Sequence, residues 1–289
     1  MQIGEHRIGD NEPVFMISEV GINHNSDLQI AKRLIDASFA CGWQCVKFQK
    51  RTPELCVPAD QKSVIRDTPW GRMTYLEYRH KVEFGKVEYD YIDRYCKEKP
   101  ILWSASVWDS LSLQFINQYD VPFIKFPSAK LTSHGMLIAG CRTGKPIILS
   151  TGMSTVDEID SAVDILEKYA RNNYVLMHTN STYPTPTGEL NLAAIKTLKE
   201  RYRCIIGYSG HEYGLEPTVI AVALGARVVE RHITLDHEMW GTDQKASLEI
   251  HAMDMLHKRV KDVDLSIGDG VKRLTENETV VRRRLRGAA

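Results

Sequence analysis

Three short segments set Lys, Glu and His inside otherwise apolar runs: CVKFQ (45–49), FIKFP (123–127) and VVERHIT (228–234). Ionisable side chains are expensive to bury unpaired, so each run calls for a charged partner or a ligand. Lys47 and Lys125 would send two ammonium groups toward one mouth. Neighbouring strands lie roughly 4.8 Å apart, so lysine stems on alternate strands can converge. Two converging cations take an anion, and a phosphate or carboxylate is the natural one. Pairing with Glu19 or Glu230 is the alternative. Ser128, Ser181 and Ser209 end comparable runs and add neutral donors.

His211 follows the seventh such run and His232 lies near the end of the eighth. Two imidazoles on neighbouring strands can hold one divalent cation and leave positions open for water and substrate. With oxygen ligands beside them, Mn, Mg, Fe, Co and Zn all qualify. Acid–base work by the pair is the other reading. Glu19, near the end of the first run, can orient or deprotonate a water or hydroxyl. Asp243, in GTDQKASLE (241–249), is placed to accept from sugar hydroxyls. His24 and His178 read as satisfied structural groups. Arg282, Arg283, Arg284 and Arg286 read as a solvated tail or an interface.

These side chains need a scaffold that gathers many strand ends. β-like runs fall at 14–20, 44–49, 101–106, 123–128, 146–151, 174–180, 204–209 and 227–234. Most are β-branched or aromatic and bounded by turn formers. Several are apolar throughout, as in parallel strands covered on both faces. Helical patterns fall between them, at 27–40, 88–98, 109–118, 134–142, 155–169, 191–201, 216–224 and 247–264. Residues 155–169 are the clearest. Thr155 and Glu158 have capping-box spacing, and Ile159, Ala162, Val163 and Leu166 share a face.

Eight runs alternating with eight helices predict a (β/α)8 TIM barrel in a single domain. A doubly wound open sheet is the alternative, weakened because no GxGxxG follows the first run. The expected layout is an N-terminal hairpin plug over 1–13, the barrel over 14–265 and a tail over 266–289. Residues 51–87 are too long for a plain strand-to-helix connection and rich in aromatics, which predicts a substrate lid on the active face.

Lys+Arg and Asp+Glu both number 37 in 289 residues, so the net charge is zero. Binders of nucleic acid or of membrane surfaces work through excess positive charge, and neither is expected here. At 43% hydrophobic and 26% charged, the composition is that of a globular protein, not of a disordered or collagen-like chain. The six cysteines form no CxxC, a pattern of free thiols that predicts a reducing, cytoplasmic setting. The start MQIGEHRIGDNEP is polar, without the apolar core of a signal peptide. The longest apolar stretch, 219–226, is far shorter than the ~20 residues a membrane span needs.

With these residues in view, the chain resembles the sialic acid synthase family, which condenses phosphoenolpyruvate with an N-acetylmannosamine-type sugar. The resemblance rests on SEVGINHN (18–25), VKFQ (46–49), IKFPS (124–128), GKPIILSTGM (144–153), TYPTP (182–186), GYSGH (207–211), VALGARVVERHITLD (222–236) and GTDQKASLE (241–249). These run in family order over nearly the whole chain. The resemblance implies a (β/α)8 barrel and a divalent metal, Mn²⁺ or Mg²⁺ foremost, on His211 and His232. It implies phosphoenolpyruvate on Lys47, Lys125, Ser128, Ser181 and Ser209, with Glu19 near the reacting centre. Gln49, Tyr183 and Asp243 match sugar-contacting positions, and a homodimer is implied. The implied reaction begins with the metal polarising the open-chain aldehyde of the sugar. C3 of phosphoenolpyruvate attacks that carbon, water adds at C2, and phosphate leaves by C–O cleavage.

Three departures bear on the sugar. The family often has a Thr in an STPF segment, and Ala105 in WSASVWD (103–109) is expected at that place. Lys130 stands where many members carry a sugar-binding Glu. Many members continue into an antifreeze-like domain, which this chain is expected to lack, leaving 51–87 or a separate protein as lid. Altered sugar selectivity is the expected consequence. A relative acting on a phosphorylated sugar or erythrose would need arginines at the mouth, and none stands at these strand ends. A metal-dependent hydrolase would bring further ligands such as an HxH on the first run, which is absent. A non-catalytic sugar-binding remnant fits poorly with Lys47, Lys125, His211 and His232 all being present.

Overall fold

A computed structural model describes residues 1–287 and places the eight predicted runs in one closed barrel. The strands are β1 (Phe15–Gly21), β2 (Cys45–Lys50), β3 (Leu102–Val107), β4 (Ile124–Phe126), β5 (Ile147–Ser150), β6 (Tyr174–His178), β7 (Ile205–Gly210) and β8 (Val228–His232). Each lies parallel to its sequence neighbours, and β8 closes on β1 from Val228↔Phe15 to His232↔Glu19. A closed ring excludes the open doubly wound sheet.

The predicted helices surround the barrel, each within a few residues of its expected bounds. The first spans Leu28–Ala40, with Asp27 accepting from the backbone N–H of Gln29 and Ile30. The helix Val156–Tyr169 carries the predicted reciprocal cap between Thr155 and Glu158, and buries Ile159, Ala162, Val163 and Leu166. The last barrel helix, Ile250–Ser266, is followed by an exposed helix, Glu276–Arg286. That final helix, capped by Thr275 and Glu278, holds the arginines read from sequence only as a tail or interface.

Side-chain alternation divides the interior into two levels. On β2, Val46 and Phe48 face the helices, while Cys45, Lys47 and Gln49 face the barrel axis. At the N-terminal end the axis is filled by Phe15, Ile17, Cys45, Ile148, Val175 and Val228, capped by Ile3 and Ile8. Those two isoleucines belong to the hairpin pairing Gln2–Ile3 with His6–Arg7, or directly follow it. Above this apolar plug the charged axis positions gather at the C-terminal mouth, where barrel sites are built.

The segment after β2 holds a short helix (Pro53–Cys56), a hairpin (Ile65–Thr68 with Gly71–Thr74) and a helix (Tyr75–Val82). Trp70 and Tyr78 pack edge-on against Trp240 of the β8 loop, at 6.1 and 5.1 Å between ring centroids. The excursion is thereby fastened across the C-terminal face. Among the described residues, no helix is long and apolar enough to cross a membrane.

Candidate active site

At the mouth, β1 and β2 slip register between Glu19 and Gly21. Gly21 adopts φ +55°, and a Cβ there would lie 3.1 Å from Gln49 Nε2 and 3.2 Å from Glu19 Oε1. The bulge lets the β1 loop turn away while Glu19 points into a cavity of ≈ 250 Å³. Glu19, Lys47, Gln49, Lys125, Ser128, Ser181, Tyr183, Ser209, His211 and His232 all line this one cavity. Asp243 lies at its rim, with Oδ2 3.9 Å from His232 Nδ1. It is held there by the β8 loop. Ser247 donates to the Asp243 carbonyl at 2.6 Å, and Asn23 from the β1 loop donates to Ser247 at 2.8 Å.

The two lysines occupy one end. Lys47 forms a close ion pair with Glu19, donates to Ser106 Oγ at 2.7 Å and lies 3.6 Å from Glu230. Lys125 donates to Ser150 Oγ at 2.6 Å and lies 3.9 Å from Glu230. Pairing with barrel carboxylates, the alternative reading of both lysines, is therefore present, and it coexists with a shared cavity. The four charges are unequal. Burial raises the pKa of Glu19, and Glu230 beside it adds to the rise against the pull of Lys47. Burial would also raise Glu230, but Lys125 and Lys47 overcome it and hold the carboxyl at about 2. Burial lowers Lys125 to about 8, with Glu230 partly offsetting the shift. Of the two carboxylates Glu19 is thus the more easily protonated, and its protonation would leave two ammonium groups facing one carboxylate.

A hydroxyl cradle adjoins this end. Gly152, in the loop after β5, donates its N–H to Ser128 Oγ at 3.0 Å. A Cβ at Gly152 would fall 2.3 Å from Ser181 Oγ and 2.9 Å from Ser128 Oγ. Only glycine leaves both hydroxyls room to approach this point of the cavity that Lys125 also lines, in the pattern of a phosphate or carboxylate cradle.

The imidazoles form the other end, with ring centroids 5.5 Å apart. His211 Nδ1 faces the Asn180 carbonyl at 2.6 Å, which assigns the proton to Nδ1 and leaves Nε2 as an acceptor. Tyr183 donates its hydroxyl to that Nε2 at 2.9 Å. Burial lowers the His211 pKa to about 3, so the ring is neutral, the form that binds metals. His232 Nδ1 is buried without a hydrogen-bond partner among the described residues. An unprotonated nitrogen on one ring, held by a displaceable tyrosine hydroxyl, and an orphaned nitrogen on the next fit a cation held by His211 and His232, with substrate or water completing its shell. Among the described residues, no group of three or more His, Cys, Asp or Glu side chains is arranged to hold a metal by itself.

Several sequence expectations need correction. Ala105 faces the helix layer and does not reach the site; Ser106, one residue on, faces the mouth and accepts from Lys47. Lys130 ends the short 3-10 turn Ser128–Lys130 and does not line the cavity. Among the described residues no arginine lines the cavity, though one lies close behind it. Arg51, immediately after β2, stacks on Trp108 with its guanidinium carbon 3.8 Å from the ring centroid, and donates to Gln49 Oε1. Glu230, Ser150, Thr179 and Trp108 also line the cavity. Ser150 and Glu230 were visible as polar strand-end residues, whereas Trp108 lay in a loop without a distinguishing pattern. His24 and His178 are structural, as read: His24 stacks on Phe84 at 3.7 Å, and His178 Nε2 meets the Leu190 carbonyl at 2.8 Å.

Residues 34–272 match the NeuB family. The chain belongs to the NeuB family. This NeuB-family chain is 35% identical over 283 residues to the N-acetylneuraminate-9-phosphate synthase of Homo sapiens, covering 96% of the chain and 78% of that protein. It is 34% identical over 267 residues to the N,N'-diacetyllegionaminic acid synthase of Campylobacter jejuni, covering 91% of the chain and 80% of that protein. Its barrel superposes with TM-score 0.88 and 31% identity on an N-acetylneuraminic acid synthetase from Leptospira borgpetersenii solved with citrate, covering 99% of this chain and 97% of that one. The NeuB-family chain is thus an enzyme of the nonulosonic acid synthase class, on the barrel its sequence predicted.

Proposed function

We propose that this chain condenses phosphoenolpyruvate with an N-acetylmannosamine-like aldose, giving a nonulosonic acid and inorganic phosphate. The observation that carries the reading is the single cavity in which the Lys47–Lys125 end, with its Ser128–Ser181 cradle, faces the His211–His232 end. The named relatives make sialic-type and legionaminic acids, in keeping with an aldose substrate. A divalent cation, Mn²⁺ or Mg²⁺, held by His211 and His232 would supply Lewis acidity at the aldehyde oxygen.

The chain's own groups do the rest. Lys125, Ser128, Ser181 and the Gly152 cradle hold the anionic groups of phosphoenolpyruvate, and Lys47 lies beside the reacting carbons. The new bond joins C3 of the enol to the aldehyde carbon. A water molecule then adds at C2, and the C2–O bond to phosphate breaks, so that one water is consumed and one phosphate released. Glu19, whose proton is held more firmly than a surface glutamate's, is placed to exchange a proton with the water or the new hydroxyl. Gln49, bonded to Glu19 at 3.0 Å, and Tyr183 and Asp243 at the rim, orient the sugar.

Phosphate release from phosphoenolpyruvate, measured with Mn²⁺ across a panel of N-acylated hexosamines, tests this function. Aldose-dependent release supports it. A folded sample that releases no phosphate with any member overturns it.

A further inference from the structure

One buried hydroxyl in the 51–87 excursion has no use in the ligand-free protein. Tyr78, in the helix Tyr75–Val82, is 2% exposed, and its hydroxyl is buried without a hydrogen-bond partner among the described residues. Buried Tyr89 and Tyr208 show the ordinary arrangement, the first donating to the Gln49 carbonyl at 2.9 Å and the second to Glu212 at 2.8 Å. The Tyr78 ring is firmly placed. It packs with Ile22 and Val82 in a small apolar cluster and stands edge-on to Trp240, with 5.1 Å between centroids. The Trp240 carbonyl is in turn held by Asn25 of the β1 loop at 2.8 Å.

An unsatisfied buried hydroxyl costs stability that a phenylalanine of the same shape would not. Its worth therefore lies in a state where it finds an acceptor. The acceptor at hand is Asp243, three residues after Trp240 and at the rim of the active-site cavity. Among the described residues the Asp243 carboxylate accepts a hydrogen bond only from Thr242 Oγ1, at 2.6 Å, although a carboxylate has room for about four donors. Donor and acceptor are thus both underused, on two segments that the Tyr78–Trp240 contact clamps together. Burial pushes the Tyr78 pKa up, and the charge of Asp243 adds to the rise, so the hydroxyl keeps its proton and remains a donor.

We propose that Tyr78 is a positioning residue for the aldose: in the sugar-bound site its hydroxyl donates to the Asp243 carboxylate, aiming the remaining lone pairs at the sugar and fastening the 51–87 excursion over the mouth. That the bound molecule is an aldose rests on the synthase reading. Tyr78 does not line the cavity, so it acts on the sugar through Asp243. The carboxylate is then held from two sides, by Thr242 of its own loop and by Tyr78 of the excursion, and Trp240 ties the two segments together.

Tyr78→Phe keeps the ring and removes the donor. Titration calorimetry with N-acetylmannosamine, in the presence of Mn²⁺ and without phosphoenolpyruvate, should show at least about tenfold weaker binding in the variant, as for one hydrogen bond to a charged group. The melting midpoint of the ligand-free variant should stay level or rise by a few degrees, whereas loss of a structural hydrogen bond would lower it. In the turnover assay the KM for the aldose should rise far more than kcat falls, and the KM for phosphoenolpyruvate should not move. Sugar-dependent protection of the backbone over 65–82 from hydrogen exchange should be present in the parent and lost in the variant. Equal sugar affinity in parent and variant overturns the proposal. So does a lowered melting midpoint with equal weakening toward both substrates, which would make Tyr78 a support for the fold. If the sugar is bound but never turned over, and its binding weakens in Tyr78→Phe, the synthase reading fails and this inference stands. A parent chain that does not bind the sugar overturns both.

Discussion

The Tyr183 hydroxyl donates to Nε2 of His211 across 2.9 Å, while the two rings stack with centroids 4.0 Å apart. The nitrogen offered to a cation is therefore engaged by a side chain expected to touch the sugar. A cation at His211 must displace that hydroxyl, so metal binding and repositioning of Tyr183 are one event. Tyr183→Phe keeps the stacked ring and removes the competing donor. Its Mn²⁺ affinity, read by electron paramagnetic resonance of the free ion, should rise about 3- to 10-fold, the value of one modest hydrogen bond. The KM for the aldose should rise in the same variant. Unchanged Mn²⁺ affinity would show that the hydroxyl and the cation do not compete.

Lys125 predicts a pH dependence. Burial brings its pKa down to about 8; Glu230 pulls upward, Lys47 opposes, and Glu19 adds a smaller upward pull. Only the ammonium form attracts an anion. Affinity for phosphoenolpyruvate should hold below pH 8 and fall above it, by up to about tenfold per pH unit. The effect on stability has the opposite sense. The folded-state pKa lies below the ordinary 10.5, so between these values the folded chain carries fewer protons than the unfolded one. Stability of the ligand-free protein should then rise as pH climbs from 8 toward 10.5, the burden of the buried charge being present in full below 8. Calorimetric titrations on both sides of pH 8 check the first claim, and a pH-independent affinity would refute it.

The parts of this molecule legible in its sequence were those where local pattern and environment conflict or agree strongly. Parallel strands buried on both faces read as apolar runs, so all eight were visible, and Lys47, Lys125 and Glu230 stood out because charge does not belong there. What could not be read was phase. Whether Ala105 or Ser106 faces the axis depends on pairing with β2 and β4, where Lys47↔Ser104 and Ser106↔Lys125 set the register, and a shift of one residue exchanges inside for outside. Arg51 was illegible for another reason. It lies just past a strand, and its meaning comes from Trp108, which only the fold brings to it. The hairpin 65–74 was hidden because its short, charged strands pair with each other and not with the barrel.

Gly152 supplies a prediction that separates binding from folding. Its missing Cβ is where the Ser128 and Ser181 hydroxyls converge. Gly152→Ala would push these serine side chains apart by rotation and press on the Thr179 methyl at 3.0 Å, at modest expense to the fold, because every clash is with a side chain and none with backbone. The midpoint of thermal unfolding should move by no more than a few degrees. Affinity for phosphoenolpyruvate should fall at least about tenfold, the value of one charge-assisted hydrogen bond. Calorimetric binding beside a melting curve tests this. Wild-type affinity in the variant would remove the cradle from the anion site.

Arg231 offers the converse, a stability effect from a residue one position from His232. It points away from the axis, is fully buried, and lies 3.0 Å from Glu212 Oε1. It also donates to the Glu212 carbonyl at 2.7 Å and to Thr218 Oγ1 at 2.8 Å. These bonds tie β8 to the loop that carries His211, so the pair fixes the spacing of the two imidazoles from outside the barrel. Arg231→Met would strand the Glu212 carboxylate in the core, with the Tyr208 hydroxyl at 2.8 Å among its few remaining donors. Breaking a buried pair in this way destabilises by about 3–5 kcal/mol. Adding Glu212→Gln removes the stranded charge, so the double variant should recover a large part of that loss in urea unfolding. Mn²⁺ affinity should weaken in Arg231→Met even where the protein remains folded, because the β7 loop is no longer held. If Arg231→Met unfolds within about 1 kcal/mol of the parent, the pair contributes no more than an ordinary surface contact, and the spacing of His211 and His232 must be set by the strand register alone.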